Sequence, residues 1–154
     1  MNRSSKDVSK FRLDGQAALI TGSTRGIGWA IARGMAESGA TVYVNGRDKK
    51  VLAARCKNLI ELGYSAKPAH FDATDVETVD RFFDSSETTI DILVNNAAIR
   101  LRKPIREIHP KAFSKVVEAN LNSVYAISRS FATRLVDQEK KGSLINITSI
   151  AGPR

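Results

Sequence analysis

From Thr21 to Gly28 the chain reads Thr-Gly-Ser-Thr-Arg-Gly-Ile-Gly, just after the apolar run Ala17-Ala18-Leu19-Ile20 and just before apolar residues at helical spacing. Glycines placed this way suit one task, holding a diphosphate. Gly22 permits a tight turn, Gly26 lets the backbone approach a pyrophosphate, and Gly28 allows a helix to pack closely on a strand. Ser23, Thr24, Arg25 and Ile27 fill the positions between them. The free N–H groups and the positive end of the helix would face the phosphates. The alternative is a glycine-rich turn with no ligand; the strand before it and the helix after it favour the cradle.

A second group of residues bears on which dinucleotide would fit. An acidic residue at the end of the second strand would bind a ribose 2′-hydroxyl and repel a 2′-phosphate. The tip here is Asn45-Gly46-Arg47, with no acid before the arginine. Arg47 and Arg25 can both offer a planar fork of donors to a phosphate. NADP(H) is therefore expected in preference to NAD(H), against the alternative of two solvated arginines.

Elements that alternate in type must position these residues. Ala17 to Ile20 is a short apolar run and reads as a buried strand. Ile27, Ala30, Ile31, Gly34 and Met35 then recur at helical spacing, and Gly39 ends that helix. Thr41 to Val44 is a second strand. Lys49 to Leu62 is a helix with Val51, Leu52, Leu59 and Leu62 as inner positions and Gly63 as its C-terminal cap. Ser65 to Phe71 is a third strand. Asp75 to Phe83 is a short helix that faces inward through Val76, Val79 and Phe83, with Thr74 or Asp75 as N-cap. Ile90 to Val94 is a fourth strand.

A long helix is expected from about Pro110 to Val136, striped by Val116, Val117, Leu121, Val124, Ile127, Phe131 and Leu135. Ser143 to Thr148 is a fifth strand. Strands alternating with helices imply an α/β fold, a parallel sheet with helices on both faces. Residues 1–11 are expected to form a flexible tail, and residues 12–154 one nucleotide-binding domain.

Composition narrows the function classes. The 154 residues suffice for one domain with a real core. No apolar run approaches the ~18 residues that span a bilayer, and the polar start lacks the apolar centre of a signal peptide. The single Cys56 excludes an internal disulfide and fits a cytoplasmic setting. One Cys and two distant His give no compact metal cluster. The net charge of +8 comes from Lys and Arg interleaved with acids, apart from the local group Arg100, Arg102, Lys103 and Arg106. That scatter argues for a solvated surface with sites for an anionic ligand, not for a nucleic-acid or membrane partner.

Taken together, Thr21 to Gly28, Asn95-Asn96-Ala97-Ala98 after the fourth strand, Asn120 in the long helix and Asn146-Ile147-Thr148-Ser149 at the fifth strand resemble the short-chain dehydrogenase/reductase family. The stretches Phe11 to Gly15 and Val44 to Asp48 are similar to its gluconate-5-dehydrogenase-like and tropinone-reductase-like branches. The resemblance covers about residues 12 to 154 and implies a Rossmann-like doubly wound parallel sheet, incomplete at its C-terminal side. It implies hydride transfer between NADP(H) and a small-molecule carbonyl or alcohol. Asp72 then resembles the residue that contacts the adenine, with a helix-capping carboxylate as the alternative. Asn95 and Ala97 resemble the loop along the riboses, where Ala98 replaces the usual glycine. Ser149 takes the role of the serine that holds the substrate oxygen, and Asn120 that of the asparagine that keeps a water relay. Their alternatives are a strand end and a satisfied helix position.

The same resemblance calls for a tyrosine acid and a lysine four residues apart, about a dozen residues beyond the serine. After Ser149 come only Ile150, Ala151, Gly152, Pro153 and Arg154, and Tyr43, Tyr64 and Tyr125 belong to other elements. The expectation is a truncated chain of little or no activity. A non-catalytic nucleotide-binding or subunit-interaction module, or a decayed gene product, are the alternatives. The fifth strand would then be a bare edge, and it and the long helix could mediate oligomer formation. Arg100 to Arg106 would flank the pocket and suit an acidic substrate.

Overall fold

The apolar run at Ala17 forms β1 (Ala17–Ile20), with all four residues buried. A strand that carries apolar residues without alternation belongs in the middle of a parallel sheet covered on both faces. The computed structural model describes residues 11–85 and 89–149. After β1 come α1 (Gly26–Glu37), β2 (Thr41–Gly46), α2 (Lys49–Glu61), β3 (Ala66–His70), α3 (Val76–Ser85) and β4 (Ile92–Asn95). A short 3-10 turn at Ile105–Glu107 leads to α4 (Pro110–Val117), a π-helical stretch at Glu118–Asn122, α5 (Ser123–Asp137) and β5 (Ser143–Asn146). The tail expected at residues 1–11 lies outside the described residues except for Phe11, as do Ile150 and the residues after it.

The five strands are parallel in the order β3-β2-β1-β4-β5, the doubly wound, Rossmann-like arrangement. Registers pair Ala18 with Val42 on one side and with Ile92 on the other. The chain leaves β1 toward β2 and returns on its other side as β4. Loops at the C-terminal ends of β1 and β4 therefore diverge and open a crevice there, the usual ligand position in such sheets.

Successive strand residues face opposite ways, so the sheet divides the core in two. Leu19, Tyr43, Phe71 and Leu93 pack with α3 and α5 through Val79, Phe83, Ile127, Phe131 and Leu135. Ala18, Ile20, Val42 and Val44 pack with α1 and α2 through Ala32, Ala36, Leu52, Cys56 and Leu59. Each fully buried large aliphatic side chain contributes about 1.5–3 kcal/mol.

Several inner positions differ from the periodic expectation. In α1 the buried residues are Gly28, Ala32 and Ala36, while Ile27 is 67% exposed. Small residues turn inward because this helix lies close on the sheet. In α2 the buried set is Leu52, Cys56 and Leu59, with Val51 and Leu62 exposed. Leu62 is the C-cap, and Gly63 follows with φ +86°, as a C-terminal glycine should. Asp75 caps α3 by accepting from the Thr78 N–H, and Val76 is exposed.

The expected long helix is interrupted. The π-helical turn at Glu118–Asn122 inserts extra backbone and shifts the helical phase. Ala119 and Ser123 turn inward there, and Leu121 points out at 64% exposure. From Ile127 onward the expected stripe is the buried one. β5 is an edge of the described sheet and all of its residues are exposed. Among the described residues no helix is long and apolar enough to cross a membrane.

Candidate nucleotide-binding site

The turn after β1 is built from hydrogen bonds to three other segments. Thr21 Oγ1 accepts from the backbone N–H groups of Asn96 and Ala97, both at 2.9 Å. Asn96 returns the contact, with Nδ2 donating to Thr21 O at 2.9 Å and to Gly22 O at 3.3 Å. These bonds sew the ends of β1 and β4 together at the point where their loops part. Gly22, at φ +62°, donates its N–H to Asn45 Oδ1 at 2.9 Å. Asn45 Nδ2 donates to Ala69 O and Phe71 O, so one buried amide fixes the glycine turn against both β2 and β3.

Ser23 belongs to this scaffold. Its hydroxyl is fully buried, donates to Ile20 O at 2.7 Å and accepts from Asn45 N–H at 2.9 Å. Asn95 is also structural. It is buried, and its Nδ2 donates to Ser128 Oγ and Asn146 Oδ1, joining β4 to α5 and β5. Neither residue lines the cleft, contrary to the expectation that each would face a ligand. The Ser23 hydroxyl and the Asn95 Nδ2 are consumed inside the fold because backbone and amide groups at the strand ends need buried partners, while Asn95 Oδ1 is buried without a hydrogen-bond partner among the described residues.

The crevice at the strand ends is an open cleft of about 1370 Å³. Gly22, Thr24, Arg25, Gly26, Ile27 and Gly28 line its centre; Arg47 and Asp72 line one flank, and Ala97 the other. Gly26 has φ +57° and open space where a Cβ would stand. α1 begins beyond Arg25 with no side-chain cap and no acidic residue in its first turn. Its first N–H groups and positive end therefore suit an anion. Ile27 owes its exposure to its place on the cleft wall.

Charge on the β2 flank is mostly positive. Arg25, Arg47 and Arg55 line it together with Asp48 and Asp72. Asp48 is occupied as the N-cap of α2, accepting from Lys50 and Val51 N–H groups. Asp72 Oδ1 accepts from the N–H and hydroxyl of Thr74, and its Oδ2 lies 3.5 Å from Arg47 Nη1. Burial pushes the Asp72 pKa up, but the Thr74 hydrogen bonds and the Arg47 charge outweigh it and hold it below the usual carboxylate value. Asp72 thus makes a local turn and also faces the cleft.

On the β4 flank, Asn120 is exposed. Its Oδ1 accepts from Ile99 N–H and its Nδ2 donates to Ile99 O, both at 2.9 Å. It clamps the loop after β4 to the π-helical turn, whose Glu118 and Ala119 line the cleft. Ser149 lies just past β5 and is exposed. None of the three tyrosines lines the cleft: Tyr43 is buried in the core and Tyr125 is 69% exposed on α5.

Thr21, Asn45 and Asn96 belong to motifs legible in the sequence, but their scaffold roles are not, and Arg55 lies in none of those motifs. A polar residue at the end of an apolar strand was the only available signal for Asn45. Arg55 Nε donates to Thr24 O at 2.8 Å, and its guanidinium lies 4.7 Å from the centre of the Trp29 ring.

Comparison with known proteins accords with this geometry. A sequence model for "short chain dehydrogenase" matches residues 16–154. A gluconate 5-dehydrogenase of Gluconobacter oxydans is 35% identical over 143 residues, covering 91% of this chain and 56% of that protein. A 5-keto-D-gluconate 5-reductase of Escherichia coli K12 is 32% identical, with 91% and 56% covered. Among solved structures, a gluconate 5-dehydrogenase from Burkholderia cenocepacia in complex with NADP and tartrate has a TM-score of 0.86 at 36% identity, covering 92% of this chain and 56% of that one. A 3-oxoacyl-[acyl-carrier protein] reductase from Brucella melitensis with bound NAD has a TM-score of 0.87 at 28% identity, covering 100% and 62%. The chain thus spans little more than half the length of these relatives, and the region it spans includes both the glycine turn and the β2 tip. On the match of its sequence and of its fold, the chain belongs to the short chain dehydrogenase family.

Proposed function

We propose that residues 12–154 form the nucleotide-binding domain of an oxidoreductase that transfers hydride between NADP(H) and a small-molecule carbonyl or alcohol. The observation that carries this reading is the β2 flank of the cleft. Arginines stand around the glycine turn there, and Asn45, a neutral residue turned inward, occupies the strand end where an acid would select a ribose hydroxyl. The backbone of Gly22 to Gly28 would cradle the pyrophosphate, and Arg25 and Arg47 would meet a 2′-phosphate. Asp72 would border the adenine, while Ala97 and Ile27 would wall the path toward the nicotinamide.

NADP(H), when bound, supplies the hydride; the chain's own residues bind and orient it. Asn120 holds the Ile99 backbone at the β4 flank and so sets the shape of the substrate side. Ser149, just past β5, would hold the substrate oxygen. Among the described residues no tyrosine lines the cleft, and the groups that do line it are ones that bind a nucleotide. Binding is therefore the property to measure.

Calorimetric titration of the chain with NADPH and NADH tests the reading. The expected result is saturable binding that prefers NADPH, with Arg47→Ala lowering the NADPH affinity by about fivefold, as for an exposed ion pair worth ~1 kcal/mol. Equal affinity for the two nucleotides removes the NADP(H) preference, and a folded chain that binds neither removes the function. A second reading, a subunit-interaction module, is favoured by β5, an exposed edge that carries Leu144 and Ile145 at 41% exposure each. Sedimentation that gives a monomer at every concentration would eliminate it.

A further inference from the structure

Resting on the NADP(H) reading above, we infer that Arg55 of α2 is a specificity-determining residue for the phosphate ester on the adenosine ribose. It does so as a third arginine, in addition to Arg25 and Arg47.

The placement follows from one contact. Thr24 and Gly46 meet so closely that a Cβ on Gly46 would stand 2.7 Å from Thr24 Cγ2. Arg25 follows Thr24 in the chain, Arg47 follows Gly46, and Arg55 donates Nε–H to Thr24 O at 2.8 Å. Arg25 and Arg47 therefore issue from the junction between the glycine turn and the β2 tip, Arg55 reaches it from α2, and all three line the cleft. The ribose of the adenosine half sits at this junction in folds of this kind.

Arg55 differs from Arg47 in two respects. Arg47 is 80% exposed and shares its charge with Asp72 at 3.5 Å. Among the described residues Arg55 has no carboxylate within ion-pair distance; Asp48, on the same helix, caps the backbone, and Asp72 faces Arg47. Arg55 is also held in place. Its Nε–H is committed to Thr24 O and its face to the Trp29 ring at 4.7 Å, which leaves the outer edge with the Nη groups for a ligand. A guanidinium held in this way loses little conformational freedom when it binds an anion.

The discriminating experiment compares adenosine 2′,5′-bisphosphate with 5′-AMP by calorimetry, for wild type, Arg55→Gln and Arg55→Lys. Gln can still donate to Thr24 O but lacks the charge; Lys keeps the charge but loses the planar stack. The expected result is that Arg55→Gln weakens the bisphosphate about fivefold and 5′-AMP less than about twofold, while Arg55→Lys keeps most of the preference. The wild-type preference should also fall as salt rises. Arg55→Gln that weakens both ligands equally, or neither, overturns the inference, as does a wild-type preference that salt leaves unchanged. A wild-type chain that binds neither nucleotide overturns the NADP(H) reading itself, and this inference with it.

Discussion

Gly28 offers the sharpest test of how the glycine turn is built. It lies in the first turn of α1, where alanine would ordinarily be the better residue by about 1 kcal/mol. Here an added Cβ would collide with Asn96 Nδ2 and stand 2.7 Å from Gly22 O and 3.0 Å from Ser23 Cα. Two of these three are backbone atoms of the turn, fixed by the bonds of Gly22 to Asn45 and of Ser23 to Asn45. Overpacking of this sort costs about 1–3 kcal/mol. Asn96 would also have to withdraw from Thr21 O and Gly22 O, at about 1 kcal/mol for each bond. With the helix gain subtracted, Gly28→Ala should destabilise the chain by about 3 kcal/mol, or roughly 6–12 °C in melting temperature for a domain of this size.

Gly34 is the internal control. It lies six residues further along the same helix, and its added Cβ meets nothing within 4 Å. Gly34→Ala should stabilise by about 0.5–1 kcal/mol through helix propensity alone. Thermal melts of both variants, followed by far-UV circular dichroism, give the two signs side by side. A Gly28→Ala protein that melts within about 2 °C of wild type would refute the close approach of helix, turn and Asn96 on which the site description rests.

Asn45→Ala removes a buried amide that serves Gly22 N–H, Ala69 O and Phe71 O; it should cost about 3 kcal/mol in urea unfolding, with no change expected from Lys67→Ala on the neighbouring edge strand β3 beyond a few tenths. Asp72 has a folded pKa held below its ordinary value of 3.8, so its contribution is present above that value and lost as pH falls through the folded pKa. Asp72→Asn should therefore flatten the acid side of the stability profile while leaving its shape near neutrality unchanged, as read from unfolding midpoints between roughly pH 2 and pH 7. Asn120→Ala breaks both bonds to the Ile99 backbone; global stability should fall by no more than about 1 kcal/mol, but the Ile99 amide should exchange with solvent distinctly faster by hydrogen-exchange NMR.

Much of this architecture is visible in the sequence because parallel strands buried on both faces carry unbroken apolar runs. Ala17 to Ile20 and Thr41 to Val44 needed no other signal. Helix faces were less legible. In α1 the inward row is Gly28, Ala32 and Ala36, and a pattern that weighs large apolar residues selects Ile27 instead. The inward row is small because the helix approaches the sheet closely; Ile27 is large because it faces a cleft. Leu121 was misplaced for another reason: a π-helical turn has no reliable hydropathy signature, and it rotates every residue before Ser123 relative to those after it.

The site divides along similar lines. Residues that act through backbone conformation or local charge, such as Gly22, Gly26, Arg25 and Arg47, could be read from neighbours in the chain. Residues that act through distant partners could not: Asn45 bonds across 23 positions to Gly22, Arg55 across 31 to Thr24, and Asn96 across 75 to Thr21. The same limit explains Ser23, whose hydroxyl is spent on the scaffold, and Asn95, whose Nδ2 is.

It also changes the weight of Arg47. Sequence shows a bare arginine at the strand tip, whereas in the folded chain Asp72 lies across from it and must share it with any incoming phosphate. A 2′-phosphate near Arg47 would meet a carboxylate as well as a guanidinium, and like charges so close oppose binding. Cations with no acid opposite them then contribute more to recognition of that phosphate than Arg47 does, and among the described residues on this flank Arg25 and Arg55 are in no ion pair. It follows that Asp72→Asn, by freeing Arg47, should raise the affinity for NADPH more than that for NADH. A titration in which the two rise together would instead place Asp72 away from the phosphate and at the base.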